Sequence, residues 1–282
     1  MSTPLPLSGR VALVTGVSRR AGIGSALVRR LLSDGARVLA SGWEPHDDEM
    51  PWGRDPAGRE AVLAELGGAP DTFEYLAADL ELPETGAMLI DRAVERFGSI
   101  DIVVANHARS SHQGFREVTA QELDRCWAIN ARASVLLAQA LGERRPPGPG
   151  GRLILFTSGQ YIGPMANEIA YAISKGAIHQ MTASLADALV DQGVTVHCIN
   201  PGPVDTGYAT GRAHATIAAM FPAGRWGQPE DVARLVSWLA SDESAWITGQ
   251  VHAMEGGFRR WARVDVDRTP HSEPERADGA GE

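Results

Sequence analysis

The feature that most restricts the fold of this 282-residue chain is an alternation of short apolar runs with longer helical segments. The first run, residues 10–15, is continuously apolar after its arginine, which is typical of a strand buried on both faces. A glycine-rich turn follows, and residues 25–32 then have the pattern of a helix. Strands that alternate with helices of this length indicate βαβ units and a parallel sheet.

The same alternation continues along the chain and predicts seven strands. The six further predicted strands are residues 37–41, 72–77, 100–105, 152–157, 194–199 and 250–254, and the further predicted helices are 58–66, 84–97, 120–141, 169–190 and 230–240. We therefore expect an α/β fold: a single Rossmann-like, doubly wound domain with a seven-stranded parallel sheet and helices on both faces. Residues 43–56 contain three prolines and are predicted to form a polar loop.

Charge narrows the class of partner. The formal net charge is -9, and residues 264–282 supply much of it with six acidic residues against two arginines. We expect residues 1–263 to form the domain and residues 264–282 to be a disordered acidic tail. Nucleic-acid binding would need a basic face, so we expect no nucleic-acid partner. No run of about 18 apolar residues is present, so we expect no membrane partner either.

Cysteine, histidine and the N-terminus indicate a cytoplasmic protein without a metal. Cys126 and Cys198 have neither metal-binding nor redox spacing, which fits a reducing compartment. The eight histidines form no HExxH-like pair, so no metal site is predicted. Residues 1–10 lack the charged start and apolar core of a secretory signal.

The turn after the first predicted strand has the composition of a phosphate-binding loop. It reads Thr15-Gly-Val-Ser-Arg-Arg-Ala-Gly-Ile-Gly24 and opens a predicted helix. Glycines let the backbone approach a pyrophosphate closely, and a helix N-terminus offers free N–H groups and a favourable dipole. The alternative is an ordinary strand-to-helix turn with flexible glycines.

Three separate residues form a candidate catalytic set. Tyr171 and Lys175 are four residues apart, which places them on one face of a predicted helix. Ser158 ends the preceding strand, and a strand end and the next helix can converge at the carboxyl edge of a parallel sheet. Each residue alone has a structural explanation: packing for the tyrosine, solvation for the lysine and a turn for the serine.

The chain contains 26 lysines and arginines, and Lys175 is the only lysine among them. Replacement of lysine by arginine in a GC-rich genome explains the arginines, and the surviving lysine would then be coincidental. A functional role explains its position, because a compact ammonium on a flexible stem differs from a planar, permanently charged guanidinium.

Together these motifs resemble the short-chain dehydrogenases/reductases, of the 3-oxoacyl-reductase-like branch. The glycine loop is similar to the family's TGxxxGxG motif, with two extra residues, and the Ser–Tyr–Lys set is similar to its active site. Residues 200–206 match its PG motif, and the resemblance extends over residues 7–258. It implies an oxidoreductase that transfers a hydride between NADP(H) and a carbonyl compound or secondary alcohol.

The resemblance assigns catalytic roles to Asn130, Ser158, Tyr171 and Lys175. Tyr171 would donate a proton to the developing alkoxide, or accept one in the reverse reaction. Free tyrosine has a pKa of about 10, and a cation about 4 Å away is worth roughly 4 kcal/mol at an effective dielectric constant of about 20. We therefore expect Lys175 to lower the pKa of Tyr171 towards neutrality. Ser158 would bind the substrate oxygen, and Asn130 would kink the long helix and support a water relay to Lys175.

Cofactor binding is assigned by the same resemblance. The residues implied are Gly16, Ser18, Arg19, Arg20, Gly22, Ile23, Gly24, Gly42, Trp43, Asp79, Leu80, Asn106, Tyr171, Lys175, Pro201, Gly202, Val204 and Thr206. The end of the second strand is Gly42, where an acid would bind the adenosine ribose of NAD, and Arg19 and Arg20 offer guanidinium groups for a 2′-phosphate. We expect NADP. The alternative is NAD, with Glu44 folding back to bind the ribose diol.

The substrate side is less specified. Substrate contacts are expected from Ser158, Gln160, Tyr161 and Tyr208, with residues 207–226 as a lid. The sequence Ala105-Asn106-His107-Ala108 stands where the family usually has Asn-Asn-Ala-Gly, and His107 is either a packed residue or an extra polar contact. Further alternatives are an NAD-dependent alcohol, polyol or steroid dehydrogenase and a catalytically silent nucleotide-binding sensor. The resemblance also implies a homotetramer or homodimer.

Overall fold

Seven short strands form one parallel sheet in the computed structural model, which describes residues 4–261. The strands are β1 (Val11–Thr15), β2 (Arg37–Gly42), β3 (Phe73–Ala77), β4 (Ile102–Ala105), β5 (Gly151–Phe156), β6 (Val194–Asn200) and β7 (Gln250–Ala253). Their order is β3-β2-β1-β4-β5-β6-β7, with every neighbouring pair parallel. The predicted fold class is confirmed. Chain order reverses between β1 and β4, which leaves a crevice at the carboxyl ends of these strands.

Helices cover both faces of the sheet. They are α1 (Ile23–Ser33), α2 (Glu44–Glu49), α3 (Gly58–Leu66), α4 (Thr85–Phe97), α5 (Ala120–Cys126), α6 (Ala133–Arg144), α7 (Ile169–Leu189), α8 (Gly211–Ala219) and α9 (Pro229–Ala240). Apolar residues of α1 and α9 pack on one face, and those of α4, α6 and α7 pack on the other. The central strands are buried on both sides, which explains why they have continuous apolar runs.

The prediction that residues 43–56 form only a loop was wrong, because α2 lies within them. A proline in the first helical turn is compatible with a helix, since that N–H has no intrahelical partner. Glu44 and Asp47 of α2 are buried, and Glu44 pairs with Arg59. These long-range contacts stabilise a short helix that its polar sequence did not indicate.

The helix predicted over 120–141 is interrupted. A π-helical turn, Trp127–Arg132, separates α5 from α6, and α6 continues to Arg144. Residues 207–226, which are predicted to form a lid, also contain α8, which the sequence did not indicate. Among residues 4–261, no helix has the length and apolar character needed to cross a membrane. The predicted tail, residues 264–282, lies outside the described residues.

Candidate active site

The glycine loop between β1 and α1 forms one wall of a cleft in the crevice. Gly16 has φ +74°, and a Cβ there would lie 2.8 Å from the backbone N and Cα of His107. A Cβ on Gly24 would overlap the carbonyl of Gly16. Only glycine therefore allows the loop, α1 and β4 to pack this closely. The N-cap of α1, Gly22, provides no side-chain hydrogen bond, so the first N–H groups of the helix are available for an anion.

The two arginines of this loop, Arg19 and Arg20, have different contacts. The Arg20 guanidinium pairs with Asp55 at 2.9 Å, and its backbone N–H donates to the same carboxylate at 2.9 Å. Arg20 does not line the cleft. Arg19 does, and its Nη1 donates to the carbonyl of Thr206 at 3.0 Å. Burial lowers the pKa of Arg19, although Asp47 at 3.6 Å opposes that effect.

The end of β2 forms the next part of the cleft. Gly42 lines it, and a Cβ at this position would overlap the carbonyl of Val17. Glu44 is held by Arg59 and is not a lining residue, so it is not placed to bind a ribose. Asp47 lines the cleft instead and is 5% exposed. Its Oδ1 accepts from Trp52 Nε1 at 3.1 Å, and its buried Oδ2 has no partner within the described residues.

Ser158 and Tyr171 meet in the cleft, with Lys175 behind them. Ser158 follows β5, and Tyr171 lies in the first turn of α7. Burial raises the pKa of Tyr171 to about 12, and the neighbouring Ser158 side chain acts in the opposite direction. Lys175 is 2% exposed, and its Nζ donates to the carbonyl of Phe156 at 2.9 Å. Burial lowers the pKa of Lys175 to about 8.

The expected lowering of the Tyr171 pKa by Lys175 does not appear in this arrangement. The ammonium lies 5.8 Å from the centroid of the tyrosine ring and is bonded to the Phe156 carbonyl. Removal of the phenol from water favours its neutral form, and this effect dominates. Tyr171 is therefore a phenol at neutral pH, a state suited to donating a proton.

Asn130 lies in the π-helical turn and connects three elements. Its Oδ1 accepts from the backbone N–H of Arg109 at 2.7 Å, and its Nδ2 donates to the carbonyl of Arg109 at 3.0 Å and to Ser174 Oγ at 2.8 Å. It is fully buried and does not line the cleft. Asn130 thus fastens the segment after β4 to α7, the helix that carries Tyr171 and Lys175.

His107 is packed and also lines the cleft. Its Nε2 lies 2.9 Å from the carbonyl of Ile129, and its Nδ1 lies 2.7 Å from Thr15 Oγ1. A carbonyl only accepts, so Nε2 carries the proton and Nδ1 accepts from the hydroxyl. Burial and the charge of Lys175 lower the pKa of His107 to about 3, which keeps the ring neutral.

Comparison with known proteins identifies the family of the chain. The family model described as enoyl-(acyl carrier protein) reductase matches residues 16–259. The chain belongs to the short-chain dehydrogenases/reductases. It is an oxidoreductase of that family, dependent on a nicotinamide cofactor.

Individual members of the family resemble the chain over most of its length. The uncharacterized oxidoreductase YjdA of Bacillus subtilis is 35% identical over 253 residues, covering 89% of this chain and 97% of that protein. An NADPH-dependent aldehyde reductase-like chloroplastic protein of Arabidopsis thaliana is 31% identical, covering 90% and 96%. The crystal structure of a blue fluorescent protein from a metagenomic library, in complex with NADPH, has a TM-score of 0.78 at 31% identity, covering 90% and 99%.

Most of the site residues that the family resemblance assigns come together in one cleft of this short-chain dehydrogenase/reductase. The lining residues among them are Gly16, Ser18, Arg19, Gly22, Ile23, Gly42, Trp43, Asp79, Leu80, Asn106, Ser158, Tyr171, Pro201, Gly202, Val204, Thr206 and Tyr208. Those that do not line it are Arg20, Gly24, Asn130, Gln160, Tyr161 and Lys175.

Two of the expected substrate residues have other contacts. Gln160 accepts from the backbone N–H of Ser158 at 3.2 Å and donates to Thr157 Oγ1 at 3.0 Å, so it braces the strand end. The Tyr161 ring packs against His179, with 4.5 Å between centroids. Because both side chains are used in this way, the geometry favours Tyr208 over them as a substrate contact.

Sequence analysis missed several lining residues. Asp47 falls in the segment that was predicted to be a polar loop, and His112, Glu168 and Arg260 belong to no family motif. Glu168 lies three residues before Tyr171, and its Oε1 is 3.3 Å from Nδ1 of His112. Burial raises the pKa of the Glu168 carboxyl. Its spacing from Tyr171 was a usable signal; Arg260 offered none. Among residues 4–261, no three histidine, cysteine, aspartate or glutamate side chains cluster as metal ligands.

Proposed function

We propose that this protein is an NADP(H)-dependent carbonyl reductase, or alcohol dehydrogenase in the reverse direction. The observation that carries the proposal is the meeting of Ser158 and Tyr171 in the cleft that the glycine loop also lines, with Lys175 directly behind. A catalytically silent sensor on the same fold would not need this set. The rest of the function follows from what each side chain can do.

The cleft fits a dinucleotide. Gly16 and Gly24 leave no room for side chains where the loop approaches β4, and the N-terminus of α1 is uncapped by a side chain. These are the properties of a pyrophosphate cradle. Asn106 holds the loop by donating to the carbonyls of Thr15 and Gly16, each at 3.1 Å. When bound, the cofactor supplies or accepts the hydride.

Tyr171 completes reduction by donating its phenolic proton to the substrate oxygen. Ser158, which lines the cleft beside the same phenol, holds that oxygen in place and stabilises its developing charge. The raised pKa of Tyr171 keeps the proton available at neutral pH. Lys175 has a pKa of about 8, so it is mainly an ammonium at pH 7, and on this proposal its charge moderates, without overcoming, the effect of burial on the phenolate left behind.

Three observations support NADP over NAD. No acid is present at the end of β2, Glu44 is paired with Arg59, and Arg19 places a guanidinium in the cleft. The aldehyde-reductase relative and the metagenomic neighbour carry NADPH in their descriptions. A guanidinium pairs well with a phosphate. We expect a kcat/KM at least about tenfold higher with NADPH than with NADH, a difference of about 1.4 kcal/mol.

One observation favours the NAD alternative. Asp47 lines the cleft with a buried oxygen that has no partner among residues 4–261. A carboxylate there would accept hydrogen bonds from a ribose diol and repel a 2′-phosphate. Arg19→Gln and Asp47→Asn separate the alternatives. The NADP proposal predicts that the first substitution weakens NADPH binding and spares NADH, and equal or better kcat/KM with NADH in the wild type would contradict it.

The substrate is a carbonyl compound or alcohol of small-molecule size. We propose residues 207–226 as its lid, because Tyr208 and the segment before α8 lie at the cleft. An NADPH-consumption screen over aldehydes, ketones, quinones and oxoacyl compounds tests the proposed reaction. Turnover of at least one class supports it. Intact NADPH binding with no turnover of any class would favour the silent-sensor alternative.

We also propose a homotetramer or homodimer. Trp127, Val135 and Ile173 are exposed on α7 and on the helical segment from α5 to α6. Apolar side chains on neighbouring helices are suited to a contact between copies. Light scattering coupled to size-exclusion chromatography is expected to give a mass above that of one chain, and a monomer would refute this proposal.

A further inference from the structure

Arg260 places a guanidinium at the substrate end of the cleft. Its Nη2 lies so close to Gly159 that a Cβ at that position would overlap it. Gly159 directly follows Ser158, and Arg260, Ser158 and Tyr171 all line the same cleft. Because Gly159 has no side chain, the guanidinium can lie this close to the backbone. The guanidinium therefore lies beside the residue that would hold the reacting oxygen.

The position of this guanidinium is fixed by a partly buried network of hydrogen bonds. Its Nη2 donates to Glu255 Oε1 at 2.8 Å, and the same oxygen accepts from Asn200 Nδ2 at 3.0 Å. Asn200 ends β6 and is fully buried. The guanidinium also lies 5.3 Å from the centroid of the Phe258 ring. A side chain held by a sheet residue in this way is organised before any ligand arrives.

Arg260 keeps hydrogen-bonding capacity for a ligand. A guanidinium has five N–H donors, and Glu255 takes one of them. Its Nε is buried with no acceptor within the part of the chain that the structure describes. The side chain is 23% exposed, in the wall of the cleft. This combination differs from an arginine whose donors are all used in internal pairs.

Two other arginines near the substrate region, Arg109 and Arg225, are committed to internal ion pairs. Arg109 lines the cleft but is held by Glu122 at 3.0 Å and by Glu49 at 2.7 Å. Arg225 pairs with Asp231 at 2.7 Å and is not a lining residue. Arg19 lies at the cofactor end of the cleft. Glu168, whose carboxylate lines the cleft near Tyr171, is paired with His112.

We infer that Arg260 binds a carboxylate of the substrate, so that the compound reduced is an oxo acid. The planar fork of a guanidinium matches a carboxylate, and the bond is charge-assisted. Ser158 then holds the carbonyl oxygen, and Arg260, next to Gly159 in the same cleft, holds the carboxylate. The inference rests on the proposed carbonyl reduction and specifies its substrate class.

Matched pairs of 2-oxo and 3-oxo acids and their methyl esters test this inference with NADPH. Each ester keeps the reducible carbonyl and removes the negative charge. The wild type is expected to prefer an acid over its ester in kcat/KM by at least about tenfold, and Arg260→Gln to reduce that acid-to-ester ratio by about 10- to 100-fold through KM. Arg259→Gln is the matched control, because Arg259 is the adjacent, exposed arginine.

A second variant predicts the opposite direction. Glu255→Gln weakens the internal partner of Arg260, so the acid-to-ester ratio is expected to rise. If Arg260 only fastened the chain, both variants would lower turnover of acids and esters equally, and this result would overturn the inference. Turnover of esters or neutral ketones without any acid preference would also overturn it while leaving the proposed reduction intact. No turnover of any carbonyl compound would refute both.

Discussion

Lys175 is expected to lower the free energy of unfolding of the protein, although the proposed activity needs it. Its pKa falls from 10.5 to about 8 because the ammonium is removed from water. That difference corresponds to roughly 3 kcal/mol of unfavourable free energy when the folded chain holds the charged form. Lys175→Met keeps the length of the side chain and removes the charge, but loses the charge-assisted hydrogen bond from Nζ to the Phe156 carbonyl, worth about 2 kcal/mol. The net expectation is a gain of about 1 kcal/mol in the free energy of unfolding at pH 7.

The gain depends on pH in a way that identifies its cause. Below about pH 8 the lysine is protonated in both states, so the folded wild type carries the full cost. Between about pH 8 and 10.5 the folded chain releases the proton before the unfolded chain does, and wild-type stability rises relative to the variant. The advantage of Lys175→Met is therefore full at pH 7 and shrinks across this window.

Urea unfolding of wild type and Lys175→Met, without cofactor and at equal protein concentration, measures the difference at pH 7 and again near pH 10. Comparing the two proteins at each pH cancels the titration of other groups. A bound cofactor is excluded because it would stabilise the folded wild type by mass action. A variant that is less stable at pH 7, or a difference that stays constant with pH, would refute the reasoning.

Three further predictions concern the same cleft. Lys175→Arg is expected to lose most turnover, because a planar guanidinium does not fit the site of the 2% exposed ammonium. A near-normal kcat in that variant would mean that the position of the only lysine is coincidental. The rate of carbonyl reduction is expected to fall as pH rises through about 8, where Lys175 loses its charge; a rate that stays flat to pH 10 would contradict this assignment. Gly42→Ala is expected to lower the midpoint of urea unfolding and to weaken NADPH binding, since its Cβ would overlap the Val17 carbonyl. The control Gly176→Ala has open space around the new Cβ, so the midpoint of urea unfolding is expected to stay the same or to rise.

The fold was largely predictable from the sequence, because buried parallel strands need continuous apolar runs. Residues 194–199, for example, were predicted as a strand and form most of β6. The π-helical turn at Asn130 was not predicted by periodicity, since its geometry depends on contacts with Arg109 and Ser174. The resemblance implied a kink there without indicating its form.

The candidate site was predictable only where motifs are local. Ser158 and Tyr171 were found because strand end and helix start are close in sequence. Asp47 and Arg260 were missed because the residues that hold them at the cleft are distant in sequence: Arg19 lies 3.6 Å from Asp47, and Asn200 bonds Glu255, the partner of Arg260. The contrast between Arg19 and Arg20 depends on Asp55, whose position after α2 no spacing in the glycine loop indicates.

The most direct test of the proposed mechanism is the transfer of deuterium from C4-deuterated NADPH to a carbonyl substrate by wild type and by Tyr171→Phe. Substitution by phenylalanine keeps the ring and removes the hydroxyl that donates the proton. We predict deuterium at the carbonyl carbon of the wild-type product, and in Tyr171→Phe an unchanged Kd for NADPH with turnover at least about 100-fold slower. Turnover by Tyr171→Phe within tenfold of the wild type would contradict the assignment of Tyr171 as proton donor.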